Sequence, residues 1–92
     1  MSVEDLDEKD FVEKRVGEIE EDLKFCEKIL GKEARIELAK RILEDLMKEI
    51  RNLPLRGLPE NLRRKITQME IRIRILYHRA NALLSLQKEP GE

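Results

Sequence analysis

Tryptophan is absent, and only three residues are aromatic: Phe11, Phe25 and Tyr77. The core must therefore be assembled from Leu, Ile, Val and Met, which bury less area apiece than aromatic rings. There is a single cysteine, Cys26, and a single histidine, His78. One cysteine closes no internal disulfide, and one His with one Cys is too few donors for a zinc site. No acidic loop has calcium-binding spacing, so no metal and no cofactor is expected. No charged-then-apolar leader precedes the first helical pattern, which makes a cytoplasmic chain the expectation. Apolar runs are short as well. Arginines interrupt even Ile71-Arg72-Ile73-Arg74-Ile75, far below the ~20 apolar residues that cross a bilayer, so no membrane span is expected.

What is present is charge. Charged residues make up 42% of the 92 residues, chiefly Glu, Lys and Arg, with Ile favoured among the apolar types. This resembles the ion-pair-rich composition of proteins from hot environments. The length suits one domain with one core. A core of this size contributes only ~3–5 kcal/mol, and with no disulfide or metal available, oligomerisation is the remaining route to more.

Helical periodicity organises the whole chain. Ser2-Val3-Glu4-Asp5 has capping-box spacing, so a first helix is expected over about 3–30. Its apolar positions Val12, Val16, Ile19, Leu23, Cys26 and Leu30 step by fours and threes, the seam of a coiled-coil-like face. Gly31 interrupts the seam, which resumes one residue early at Ile36. A tight corner at Gly31 to Lys32 is the preferred reading, and one continuous helix of ~50 residues is the alternative. The second helix, about 32–52, carries Ile36, Ala39, Leu43, Leu46, Ile50 and Leu53, widened by Leu38, Ile42 and Met47 as for a helix with two neighbours. Pro54, Gly57 and Pro59 define a loop over 53–59, whose leucines Leu53, Leu55 and Leu58 are placed to cap the bundle. The third helix, about 60–87, has the seam Leu62, Ile66, Met69, Ile73, Leu76, Ala80 and Leu83, and ends before Pro90-Gly91. The expected fold is all-α, a three-helix up-down-up bundle or a long helical hairpin, completed as a helical-bundle dimer.

The near-neutral net charge of −1 hides an asymmetry: residues 1–22 hold ten acids and three bases, residues 60–88 seven bases and two acids. In heptad terms Glu13, Glu20 and Glu27 share position e of the first helix, and Lys65, Arg72 and Arg79 share position g of the third. Parallel helices set g beside e, so the three acids are expected opposite the three bases, within one chain or across a dimer. A further set, Ile71, Ile75 and Ala82 with Leu86 less cleanly, falls off the third helix's seam. A second apolar stripe implies a second contact.

Three function classes follow. The stripe favours a protein-association module, an adaptor, assembly factor or homodimer without catalytic activity, with Ile71, Ile75, His78 and Ala82 at the interface and Arg64 and Arg74 on its rim. Nucleic-acid binding is the rival, because Arg63, Arg64, Lys65, Arg72, Arg74, Arg79 and Lys88 make the third helix basic. No aromatic side chains stand ready to stack on bases, and no helix-turn-helix glycine turn is present. The weaker alternative is a magnesium-dependent hydrolase. Glu18, Glu21 and Asp22 with Glu44, Asp45 and Glu49 have the spacing by which helical nucleotide pyrophosphohydrolases hold magnesium, although a solvated face accounts for the same residues. His78 lacks a nearby orienting carboxylate, and Cys26 reads as a small apolar seam residue.

Overall fold

The computed structural model describes residues 3–88, which form three helices: α1 (Val3–Gly31), α2 (Ile36–Arg51) and α3 (Glu60–Lys88). The expected cap Ser2 and the expected terminator Pro90-Gly91 lie outside these residues. Contacts between helices fix their directions. Cys26 of α1 meets Ala39 of α2 while Arg15 meets Glu49, so the two run antiparallel. Lys65 meets Glu20 and Arg72 meets Glu27, so α3 runs parallel to α1. The result is an up-down-up bundle measuring 65 × 17 × 16 Å, in which α3 is displaced along the axis from α1 by about two turns, ~10 Å.

All three seams converge on one cluster. Val12, Val16, Ile19, Leu23 and Leu30 of α1, Ala39 and Leu43 of α2, and Ile66, Met69, Ile73 and Ala80 of α3 are each at most 3% exposed. Cys26 completes the α1 seam, fully buried, with its thiol directed at the Ala39 carbonyl 3.8 Å away. No polar or charged residue among those described is buried. Ile42 and Met47 pack half-buried beside the α2 seam, as befits the shortest helix, which lies against both of its neighbours.

The corner between α1 and α2 corrects the expected boundaries. It spans residues 32–35, and Gly31 belongs to α1 as its last residue. The Ala34 N–H donates to the Ile29 carbonyl and the Glu33 N–H to the Leu30 carbonyl, both at 3.0 Å. This pair of bonds closes a helix through one left-handed residue. That residue is Glu33, with φ 54. Arg35 then caps α2 with φ 53 and ψ 43, also left-handed, and without a side-chain cap hydrogen bond. The second helix therefore begins at Ile36, where its seam resumes, four residues later than the boundary expected from a corner at Gly31 to Lys32, and a continuous helix through Gly31 does not form.

The second connection uses glycine where its geometry needs it. The Leu58 N–H donates to the Leu55 carbonyl at 3.3 Å, and Gly57, third in that turn, has φ 82, the value a type II turn requires there. Leu53 is buried and Leu58 half-buried against the core. Leu55 is 43% exposed and does not take part in the cap. The Pro59 carbonyl accepts from the Leu62 and Arg63 amides at 3.1 and 3.0 Å and so starts α3.

Candidate functional site

A helix turns about 100° per residue, so residues at 71, 75, 78 and 82 share a face diametrically opposite one at 66, 69, 73 and 80. On α3 both faces are apolar, which is why this helix is only weakly amphipathic. The inner face is the buried seam. On the outer face Ile71 is 50% exposed, Ile75 61% and Leu86 71%, with Ala82 exposed between them. His78 is exposed on the same face, its ring 6.1 Å from that of Tyr77 in an edge contact. Arg64 lies two turns beyond the N-terminal end of the stripe, 3.4 Å from Glu60, and Arg74 flanks it 3.8 Å from Glu70. The six residues singled out on this helix thus share one surface.

Leu86 extends that surface by a turn. Phe11 and Phe25, exposed at 53% and 41% on the outside of α1, were not anticipated from the seam pattern. Their positions could have shown it: both fall 100° or more from the mean direction of the α1 seam.

The charged stripes meet in two rungs. Lys65 Nζ lies 3.4 Å from the Glu20 carboxylate, and Arg72 donates to Glu27 at 3.0 Å. Each joins a g residue to the e residue of the following heptad, the usual offset in parallel helices, which sets Ile66 level with Val16 and Ile73 with Leu23. The same offset explains the two end residues. The partner position for Glu13 is 58, which is Leu58 in the loop, and that for Arg79 is 34, which is Ala34 in the corner. Among the described residues neither Glu13 nor Arg79 makes an ion pair.

The acidic residues considered for magnesium are differently engaged. Arg15 bridges Glu18 on its own helix and Glu49 on α2. Glu44 accepts a hydrogen bond from the Tyr77 hydroxyl at 3.2 Å, and the Lys40 ammonium sits 6.0 Å from the Tyr77 ring centre. No group of three or more His, Cys, Asp or Glu side chains among the described residues is placed to share a metal ion. The Arg15 bridge went unseen in the sequence because Glu49 is 34 residues away; only its local half, Arg15 to Glu18, follows from helical spacing.

Burial, aided by the negative charges of Asp22 and Glu27, pushes the Cys26 thiol up from 9.0 to about 11. It is therefore protonated at neutral pH, the opposite of an activated nucleophile. No described helix is long and apolar enough to cross a membrane. Compared with protein-family models, with curated proteins and with solved structures, the chain has no significant match to any of them.

Proposed function

We propose that this chain is a small non-catalytic association module, an adaptor, assembly factor or oligomerisation element of the cytoplasm, working through the outer face of α3. The observation that supports this reading is the pair of opposed apolar faces on one helix. The inner face fills the core, while Ile71 and Ile75 stay half or more exposed in an otherwise strongly charged surface. Its centre is Ile71, Ile75, His78 and Ala82, with Arg64 and Arg74 at the rim. Occupants of this face are a second copy, completing a helical-bundle dimer, or a different protein.

The test is the molar mass in solution by light scattering, for the native chain and for Ile71→Glu, Ile75→Glu. Because both side chains point away from the core, the double variant stays folded. A native dimer that becomes a folded monomer supports association through this face. A native dimer unmoved by the change removes the face from the reading.

Nucleic-acid binding is the second reading, supported by Arg63 and Arg79, which have no ion pair among the described residues. It requires affinity for duplex or single-stranded nucleic acid that falls steeply with salt. Magnesium hydrolysis has less support, since the Arg15 guanidinium already offsets Glu18 and Glu49.

A further inference from the structure

We infer that the outer face of α3 receives an amphipathic helix with acidic flanks from a different protein, an inference that rests on the association reading above. Two observations select this occupant over a second copy.

The first is charge. Arg74 and Arg79 stand on opposite flanks of the stripe, with Arg63 and Arg64 at its N-terminal end. The acids on this side are Glu60 and Glu70, each at the long end of ion-pair distance from its arginine, 3.4 and 3.8 Å. Arg79 and Arg72 lie one heptad apart on one flank. An antiparallel pairing of α3 with another α3 centred on the stripe therefore sets Arg79 beside its own counterpart, and a parallel in-register pairing sets Arg74 on one flank toward Arg79 on the other, Arg72 being held by Glu27. Like charges across a helix pair oppose association, and acidic flanks favour it. The acidic outer face of α1 offers no alternative from a second copy. Its exposed aromatics, Phe11 and Phe25, are separated by Glu18, Glu21 and Asp22 and form no continuous seam.

The second is size. From Ile71 to Leu86 the stripe is ~22 Å long and about one helix wide, so it buries on the order of 250 Å² on each side. That is well below the ~1,200 Å² in total that a stable dimer needs. It suits a single helix of about four turns held reversibly.

The probe is a synthetic 21-residue peptide with Leu at a and d and Glu at e and g. A Leu/Lys counterpart, and an acidic peptide of identical composition with its leucines scrambled, serve as controls. Binding to the full chain is followed by fluorescence anisotropy and by amide chemical shifts. The Leu/Glu peptide is expected to bind and to move the amides of Ile71, Ile75 and Ala82. Ile71→Glu, Ile75→Glu and, separately, Arg74→Glu, Arg79→Glu are each expected to weaken it at least tenfold, with circular dichroism confirming that both variants fold. Equal binding of the scrambled acidic peptide, or of the Leu/Lys peptide, overturns the inference. So does duplex DNA that binds through the same arginines and is indifferent to the isoleucine changes. A native dimer split by Ile71→Glu, Ile75→Glu overturns this occupant and leaves the association reading standing. Failure of the Leu/Glu peptide to bind a chain that is monomeric at the same concentration overturns this inference and not the association reading.

Discussion

Replacing Glu33 with glycine should stabilise the protein. Glu33 occupies the left-handed region with φ 54, where an L-residue with a Cβ carries a cost of roughly 1–2 kcal/mol. Glycine removes that cost, offset by about 0.4–1 kcal/mol for the extra freedom it gives the unfolded chain. The net gain is about 0.5–1 kcal/mol, which for a domain of this size raises Tm by roughly 2–8 °C. The companion substitution is Gly31→Ala, which has the opposite logic and the same sign. Gly31 ends α1 without a positive φ, and a Cβ there meets nothing within 4 Å. Alanine should then gain about 0.5–1 kcal/mol of helix propensity. Had the corner turned on a left-handed Gly31, alanine would instead lose at least as much. The assay is thermal and urea unfolding followed by helical circular dichroism, at one fixed protein concentration because association also shifts Tm. A fall in Tm for either variant refutes the assignment of the left-handed position to Glu33.

Ile73→Ala, at a fully buried site, should cost about 2–5 kcal/mol, whereas Ile75→Ala on the outer face should stay within about 0.5 kcal/mol of the native chain in the same melts. Cys26 makes stability depend on alkali. The folded thiol keeps its proton up to about 11, against 9.0, so above pH 9 the unfolded state loses protons that the folded state retains. The contribution of Cys26 should be constant below that range and then fall by about 1.4 kcal/mol per pH unit until the folded thiol also ionises. The Cys26→Ala variant should lack this component in urea titrations across the same range. Exchanging the ends of one rung, Glu27→Arg with Arg72→Glu, should recover the ~0.2–1 kcal/mol lost by either single change, as a double-mutant cycle would show. No coupling would mean that the 3.0 Å contact contributes nothing.

The helical seams were legible because each repeats over four or more turns, and a long periodic pattern survives local exceptions. Val12 to Leu30 and Leu62 to Ala80 are buried as their spacing required. The corner was less legible. Its two left-handed residues are Glu33 and Arg35, types with no preference for that conformation, while the one residue that has it, Gly31, sits two positions early inside the helix. What places the turn is tertiary: the seam must switch from α1 to α2 with Ile36 entering the core. The charged stripes could be read as facing sets, but the pairing rank depended on where the helices end. Only the corner at Ala34 and the loop at Leu58 explain why three acids and three bases make two rungs. Leu55 was misjudged for a similar reason, since loop leucines carry no periodicity from which to infer a direction.

The core without polar groups bears on handedness. A third helix laid on the opposite side of the α1–α2 hairpin would bury nearly the same side chains, because Leu and Ile do not distinguish left from right. Discrimination must come from groups outside the core. The Lys65–Glu20 and Arg72–Glu27 rungs exist in one hand only, and at ~0.2–1 kcal/mol each they favour it over the mirror topology by a factor of about 2 to 30. Reversing the charge of Glu20 and Glu27 together would leave the hydrophobic cluster untouched while removing this preference, so that the two hands compete for the same sequence.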